Sequence, residues 1–584
     1  MHDFKRLTER TLSLLVCLTI FCSMLLTPLA GAAEIEMEPG TEAESEAEDT
    51  AVKNAVESFL RNYQEQAMLY EDRDLLSGTV ADPALILTGQ AETQVYHVGR
   101  KDVTLAQLRE NFVFLEKKAA FYAAMRQMQG IYRDNLQLVY TLDDMEVTAL
   151  NAGSISVKET AQFRYTDSDR LSVNETFYTV YLVYCGDQWL IADVTDGSRF
   201  DTIYKSQGAA FDEGAALSEF AANLERDGCT LSFPYTPSEA EGRILYNGAN
   251  AAAYAYTYAR PDAGASRSAF YNSQFYSYAG QGGDCQNFAS QCMWAGFGGS
   301  QTSAAVKEHS LPMDVSGDSQ WFGRAASGGK INYSWISCQS FRKYLTGSTD
   351  GTGRGGSNAA ADTGMYATIL DVAAASGFSG VTAEELVGAA AHVEGVGGAY
   401  AHAIVLTAAT GTRRSEIWFC GHTKDVSHIK LGDYYIWPMK VYIPRYLRTG
   451  AAAGRLDVDR LQPVATGDTG LLTARTGEIQ YQITITVTPP GGTAEQAASV
   501  NYAESCQAEY IFSAPGLYQV VSAAKASEEA DWVTNTYYVR CYEPPVFEET
   551  EEAGETEDPE EPEESVETED TVETEEYLFF DIGY

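Results

Sequence analysis

The sequence predicts a multidomain α+β chain, and three observations carry that prediction. Between positions 51 and 205 apolar residues first recur at helical spacing and then alternate strictly with polar ones. A central stretch sets Cys285 behind two glycines at the mouth of a helix and follows it, farther on, with two apolar strands. A last stretch, 454–545, alternates again and is cut by Gly, Pro and Asn, the pattern of a small β-sandwich. At 584 residues the chain is long enough for several domains of roughly 100–200 residues each.

Residues 1–32 read as an export signal: Lys5, Arg6 and Arg10 form a basic start, 12–26 an apolar core, and Ala30-Gly31-Ala32 a cleavage site. No later stretch approaches the ~18–20 apolar residues that span a bilayer, so the expected location is secreted or loosely cell-surface associated, with no integral membrane segment. The charge balance is lopsided, with 40 basic against 82 acidic residues for a net of −42. Nucleic acid and anionic lipid both need clustered Lys and Arg, and this balance argues against either as partner. Two acidic segments, 33–50 and 546–584, are expected to be disordered because they bury too little apolar surface to offset ordering entropy.

Ten cysteines become eight once Cys17 and Cys22 leave with the signal. Outside the cell disulfides form. Cys506 with Cys541 and Cys185 with Cys229 are the expected pairs, although sequence leaves connectivity open.

Within 51–205, helices are expected at 51–70 and 104–130, then strands at 136–140, 154–165, 175–185 and 188–194. A linker with a helix near 213–226 occupies 206–242, and 243–447 holds the chemistry. There Asp284 is the expected N-cap and Cys285 the first helical residue, where unpaired N–H groups and the helix dipole favour a thiolate. The Asp284 carboxylate opposes that, so a histidine partner is required. Residues 401–406 and 417–423 read as two strands around the turn Gly411-Thr412-Arg413. In a hairpin centred on Thr412, His402 and His422 would be cross-strand neighbours with Cβ atoms about 4.5–5.5 Å apart. His402 would then take the thiol proton and His422 would orient the imidazole. His392 is the rival base. His309 and His428 look like loop histidines. A zinc site made from His402, His422 and Asp425 lacks an H-E-x-x-H or paired C-x-x-C motif, and no cofactor is expected.

Two resemblances add to this reading. The helices and strand meander of 51–205, closing on Trp189-Leu190-Ile191-Ala192-Asp193-Val194, resemble the cone-shaped α+β fold of the nuclear-transport-factor type. From 243 to 447 the chain resembles the putative amidase domain of secreted bacterial proteins, itself similar to NlpC-type cell-wall cysteine peptidases and more distantly to papain. The residues that carry it are Gly-Gly-Asp-Cys-Gln-Asn-Phe-Ala-Ser-Gln at 282–291, Ser334-Trp335, Phe341-Arg342-Lys343-Tyr344-Leu345, the strand at His402 and Gly421-His422-Thr423. The resemblance implies a papain-like or NlpC-like α+β catalytic domain, with Cys285 as nucleophile, His402 as base and His422 as polar third member. It also places Tyr278 near the oxyanion, with Asp284 and Gln286 flanking the nucleophile on the substrate side.

The expected activity is therefore a cysteine hydrolase acting on an extracellular amide or peptide, with peptidoglycan peptides as the substrate the resemblance suggests. The alternative is a non-catalytic surface protein that binds a polymer. Neither flanking region carries a catalytic set, and both are expected to be dispensable for the chemistry.

Overall fold

In this computed structural model the described residues are 42–71, 73–82, 93–99, 101–149, 151–185, 187–237, 244–279, 284–307, 321–348, 356–358, 363–395, 399–434, 436–449, 457–459, 464–475, 481–525, 527–528 and 532–543. The export signal of 1–32 and the acidic tail of 546–584 lie outside them. The acidic segment read as disordered supplies the start of a helix, α1 (Glu42–Leu69). Val52, Val56, Phe59, Leu60 and Tyr63 make its buried stripe, so a real apolar face immediately downstream carries the acidic turns.

Helix α2 (Leu105–Met128) starts where Thr104 and Gln107 form a reciprocal capping box. Both helices lie on an antiparallel meander of β1 (Arg133–Leu142), β2 (Ala152–Tyr165), β3 (Leu171–Cys185) and β4 (Gln188–Thr195). Ile155, Val157, Val180 and Leu182 meet the helices in one core. Helix α3 (Glu213–Leu224) joins the same core through Phe220, and the edge strand β5 (Cys229–Ser232) follows it. The segment read as a linker is thus packed structure.

The central region adds α4 (Gly248–Tyr258), α5 (Asp284–Gly296) and α6 (Cys338–Thr346). Its strands are β6 (Thr363–Val372), β7 (Ala390–Glu394), β8 (Tyr400–Ala409), β9 (Ile417–Gly421), β10 (Val426–Lys430) and β11 (Met439–Thr449). One sheet runs through both regions in the order β1-β2-β3-β10-β9-β8-β7-β11-β6-β5, and Val173 pairs with Ser427 at the join. One face of the central strands (Ala390, Ala403, Val405, Cys420) packs on α4 and α5. The other (Val393, Ile404, Leu406, Phe419) shares a core with Met68, Ile131, Phe163 and Tyr165. The expected boundary between 205 and 243 is therefore not a packing boundary. The start of α4 touches the sheet where Gly248 and Gly388 meet backbone to backbone: a Cβ on Gly248 would fall 2.1 Å from the Val387 oxygen.

An ionic cluster ties the two regions together. Asp433 accepts hydrogen bonds from Arg126 Nε at 2.6 Å, from Arg133 and from Tyr165 Oη at 2.6 Å. Burial pushes the Asp433 carboxyl up, but the Arg133 and Arg126 guanidiniums override it and bring it down to about 2.

Glu159, fully buried on β2, behaves oppositely. Burial pushes its carboxyl up to about 8, against the Gln64 hydrogen bond and the nearby Tyr140 and Tyr178 hydroxyls that favour the ionised form. A folded-state value above the unfolded one makes this group's contribution complete below the unfolded pKa and lost as pH rises through about 8. Glu159→Gln is expected to flatten the fall in stability between pH 5 and 9, with the variant the more stable at pH 9. Urea midpoints measured across that range check it, and parallel curves for the two proteins would refute it.

Past β11 the chain forms a three-stranded sheet (Asp457–Asp459, Thr469–Arg475, Ser505–Ile511) and a five-stranded sheet built from Val464–Ala465, Tyr481–Thr488, Glu495–Ala503, Gly516–Lys525 and Val533–Tyr542. Leu472, Ile485, Phe512, Tyr518 and Val539 give them a common core. Arg540 ties them to the central region through the carbonyls of Thr257 and Ala269. The eight described cysteines are all free thiols, so neither expected disulfide is present. Cys506 and Cys541 pack in the last core, and Cys185 in the first.

Candidate active site

Helix α5 is buried along its whole length, from Asp284 to Gly296. Polar clamps hold it: Asn287 Oδ1 accepts from Trp335 Nε1 at 2.9 Å, and Ser290 Oγ donates to the Trp335 carbonyl at 2.9 Å. The helix begins at Asp284, one residue earlier than the sequence reading places it, so Cys285 is the second helical residue. Asp284 is not spent on a cap. Its Oδ1 accepts from the Tyr278 N–H at 2.8 Å and from Asn287 Nδ2 at 2.9 Å, and its Oδ2 from His422 Nδ1 at 2.8 Å.

The Cys285 thiol is held well below its ordinary value. The first cause is a hydrogen bond from Cys338; burial opposes it, and a hydrogen bond and charge from His402 together with the Ala403 N–H add to the lowering. Cys338 is pushed up in exchange, because it shares its proton with the Cys285 sulfur and is itself buried. His402 lies on β8 opposite Val393, just inside a bulge at which the pairing jumps from Val393/His402 to Glu394/Tyr400. The β8–β9 ladder begins only at Val405/Cys420. Cys285 thus stands where β9 has parted from β8.

His422 is not the neighbour of His402. The hairpin pairs Val405 with Cys420 and Leu406 with Phe419, one residue off a turn centred on Thr412, then shifts again before Ala408/Trp418. A bulge and the short helical turn Arg414–Glu416 take up the extra residues. His422 falls beyond β9, where Nε2 donates to the Tyr258 carbonyl at 2.9 Å and Nδ1 meets Asp284. A carbonyl only accepts, so Nε2 donates to Tyr258 while Nδ1 is turned to the carboxylate. The ring is stacked between Tyr271 at 4.0 Å and Phe288 at 3.9 Å. The Asp284 carboxyl is buried, which pushes it up, but the His422 bond and charge bring it below its usual range. The carboxylate beside Cys285 is thereby taken up by His422, Asn287 and the Tyr278 N–H, which answers the objection that the sequence raised against a thiolate there.

The remaining expected residues have other duties. Gln286 is fully buried, accepting from His392 Nε2 at 2.6 Å and donating to Ser290 Oγ at 3.1 Å, so it faces the interior rather than a substrate. Burial drives the His392 pKa well below the usual range, and its ring packs against Phe341 and Tyr442. Tyr278 reaches Asp284 through its N–H, while its ring sits by Tyr276 at 4.8 Å. Asp425 is taken by Arg267 Nε at 2.6 Å and Tyr271 Oη at 2.8 Å. Among the described residues no cluster of three His, Cys, Asp or Glu side chains is arranged for a metal. His428 is a buried strand residue, held by Ser168 Oγ at 2.8 Å and Tyr256 Oη at 2.9 Å, not a loop histidine. His309 lies outside the described residues.

Sequence reasoning missed Cys338. The signal was present: Ser337 accepts from the Ser340 N–H and caps the helix that Cys338 opens, the same setting that singled out Cys285. It also missed a cavity of about 370 Å³ lined by His402 together with residues of α1, α2 and β3.

No curated protein matches the chain. Residues 245–442, which span α4 to β11 and contain Cys285, Cys338 and His402, match the family model of the putative amidase domain, a likeness that carries amide hydrolysis as the general class of activity.

Proposed function

We propose that the chain is a cysteine-dependent amide hydrolase in which Cys285 is the nucleophile and His402 the general base and acid. The observation that carries this reading is the Cys285 thiol at a helix start, bonded by His402, Cys338 and the Ala403 N–H and held well below its ordinary pKa. In the reaction the Cys285 thiolate attacks the amide carbonyl carbon. The His402 imidazolium delivers its proton to the departing nitrogen as the C–N bond breaks, leaving a thioester. Water, deprotonated by His402, then releases the acid and restores the thiol. Backbone N–H groups at the start of α5 would hold the developing oxyanion. His422 and Asp284 act on α5 rather than on His402.

A buried cysteine helix against an antiparallel sheet favours the papain-like, NlpC-like arrangement, and the paired C-terminal sheets with a common core favour a β-sandwich. Export rests on residues 1–32, and with it an extracellular peptide substrate such as that of the cell wall.

Iodoacetamide labelling against pH, read by peptide mass, tests the nucleophile. Cys285 is expected to react first at neutral pH, ahead of Cys292 and Cys420, whose thiols burial pushes up. Equal rates at the three sites would sink the assignment. In the same assay Cys338→Ala should move the Cys285 profile to higher pH, because the variant loses the strongest bond to the thiolate. An unmoved profile would show that Cys338 does not act on the nucleophile.

A further inference from the structure

Two cysteines meet at the site, and amide hydrolysis calls for one. Cys338 opens α6 and Cys285 is the second residue of α5, so two helix starts converge there. Clamps fix their spacing: Asn287 and Ser290 of α5 bond the ring nitrogen and the carbonyl of Trp335, which lies just ahead of Cys338. Both thiols belong to the same core, yet each keeps a little exposure, 7 % at Cys285 and 6 % at Cys338. The Cys338 thiol donates to the Cys285 sulfur, which puts the two sulfurs within hydrogen-bonding reach of each other.

The other described cysteines have different settings. Cys292 and Cys420 are fully buried, burial pushes both thiols up, and Cys420 lies against the Thr407 and Ser427 hydroxyls. Cys185 packs in the first core and Cys506 and Cys541 in the last, while Cys229 is half-buried on the edge strand β5. The pair at the site is also asymmetric. Cys285 is held as the thiolate and Cys338 keeps its proton, the division of labour between an attacking thiolate and a resolving thiol. Arg342, one turn along α6, favours the Cys338 thiolate through its charge as the proton leaves. A serine hydroxyl would supply the hydrogen bond to Cys285 as well as a thiol does; what the second sulfur adds is the capacity to form a bond to the first.

We propose that Cys285 and Cys338 form an oxidisable dithiol site that takes a hydroperoxide and closes into a disulfide, switching the nucleophile off reversibly. The Cys285 thiolate attacks the terminal oxygen of the hydroperoxide and the O–O bond breaks. The departing oxygen takes the proton of the His402 imidazolium and leaves as an alcohol or water, and Cys285 becomes a sulfenic acid. The Cys338 sulfur then attacks the Cys285 sulfur, the S–O bond breaks, and hydroxide leaves with the Cys338 proton as water. The two sulfurs give up two electrons and the peroxide gains them. A dithiol reductant reverses the bond by exchange. Without Cys338 the sulfenic acid stays open to further oxidation, and the sulfinic acid that follows is not recovered by thiols. The bond itself stands apart from the hydrolase reading; the loss of turnover that it causes rests on that reading.

The full chain, reduced and then freed of reductant, is treated with a small excess of hydrogen peroxide, alkylated, and digested without reduction for peptide mass. The peptides that carry Cys285 and Cys338 are expected to appear joined, two hydrogens lighter than their sum. Iodoacetamide labelling of Cys285 should fall about tenfold or more and return with dithiothreitol. In Cys338→Ser the joined peptide should be absent, and excess peroxide should carry Cys285 to the sulfinic acid, so that dithiothreitol no longer restores its labelling. Three results in the wild type would each overturn the proposal: Cys285 oxidised to an acid beside a free Cys338, Cys285 joined to Cys292 or Cys420 instead, or Cys285 unchanged. Turnover is read separately. Cross-linked protein that still cleaves its amide, or a disulfide in a protein that cleaves no amide even when reduced, would retire the hydrolase reading and leave the dithiol site standing.

Discussion

Cys285→Ala is expected to abolish amide turnover, and His402→Ala to lower it by about 10²–10⁴-fold, the usual contribution of a positioned general acid and base. Both losses should appear in kcat with the protein still folded, since Cys285→Ala removes a single sulfur from its core and His402 belongs to no apolar cluster. His422→Ala is a different kind of lesion. It leaves the buried Asp284 Oδ2 without the ring that bonds it, at a cost of about 1–3 kcal/mol in stability, and leaves the carboxylate beside the nucleophile less well held. Its signature is a lowered urea midpoint together with Cys285 labelling displaced to higher pH. The pair His402→Ala and His422→Ala therefore should not behave as one catalytic unit. A His422→Ala protein with wild-type stability and a loss of turnover equal to that of His402→Ala would return His422 to the role of orienter.

The second large effect is expected from Asp433→Ala. Removing this carboxylate strands two buried guanidiniums, Arg126 and Arg133, and frees the Tyr165 hydroxyl. Breaking a buried pair by deleting one partner costs about 3–5 kcal/mol, and here one deletion breaks two pairs. The pH dependence has a definite sign. A folded-state pKa lowered to about 2 gives stability that is complete above the unfolded pKa and lost as pH falls through about 2. Wild type should thus lose stability between pH 4 and 2 more steeply than Asp433→Asn. Because the cluster joins α2, β1 and β2 to the turn after β10, the N-terminal and central regions should unfold in a single transition. Urea denaturation followed at both regions tests this, and two separated transitions would count against it. A fragment of about 236–450, expected from sequence to keep the chemistry, would uncover the core shared with Met68, Phe163 and Tyr165, so it is expected to fold poorly by itself.

Local signals were legible in the sequence. The apolar spacing that places a helix at 104–130 is answered by Leu105–Met128, down to the Thr104 cap, because short-range chemistry alone decides it. The Gly-Gly-Asp-Cys stretch announces a helix start, and one appears within a residue of where it is expected. What failed was everything set by long-range register. The helical turn Arg414–Glu416 has no mark in the sequence, yet it pairs Ala409 with Ile417, and the register that follows sets Val405 opposite Cys420 and takes His422 out of direct pairing with His402. Asp284 and His422 are 138 residues apart, and only the fold makes them partners. The domain boundary misled for a similar reason: alternation in β2 and β3 shows that one face is buried but not that the central region buries part of it.

The join between β3 and β10 also sets an order of events during synthesis. Ser172 donates to the His428 carbonyl across 256 residues, so β3 emerges from the ribosome long before the strand that covers its edge exists. At about 5–20 residues per second that edge waits for roughly 10–50 s with unpaired N–H and C=O groups. The nascent chain is therefore most exposed to misassociation in that interval, and a chain halted before Val426 would keep the edge open for good.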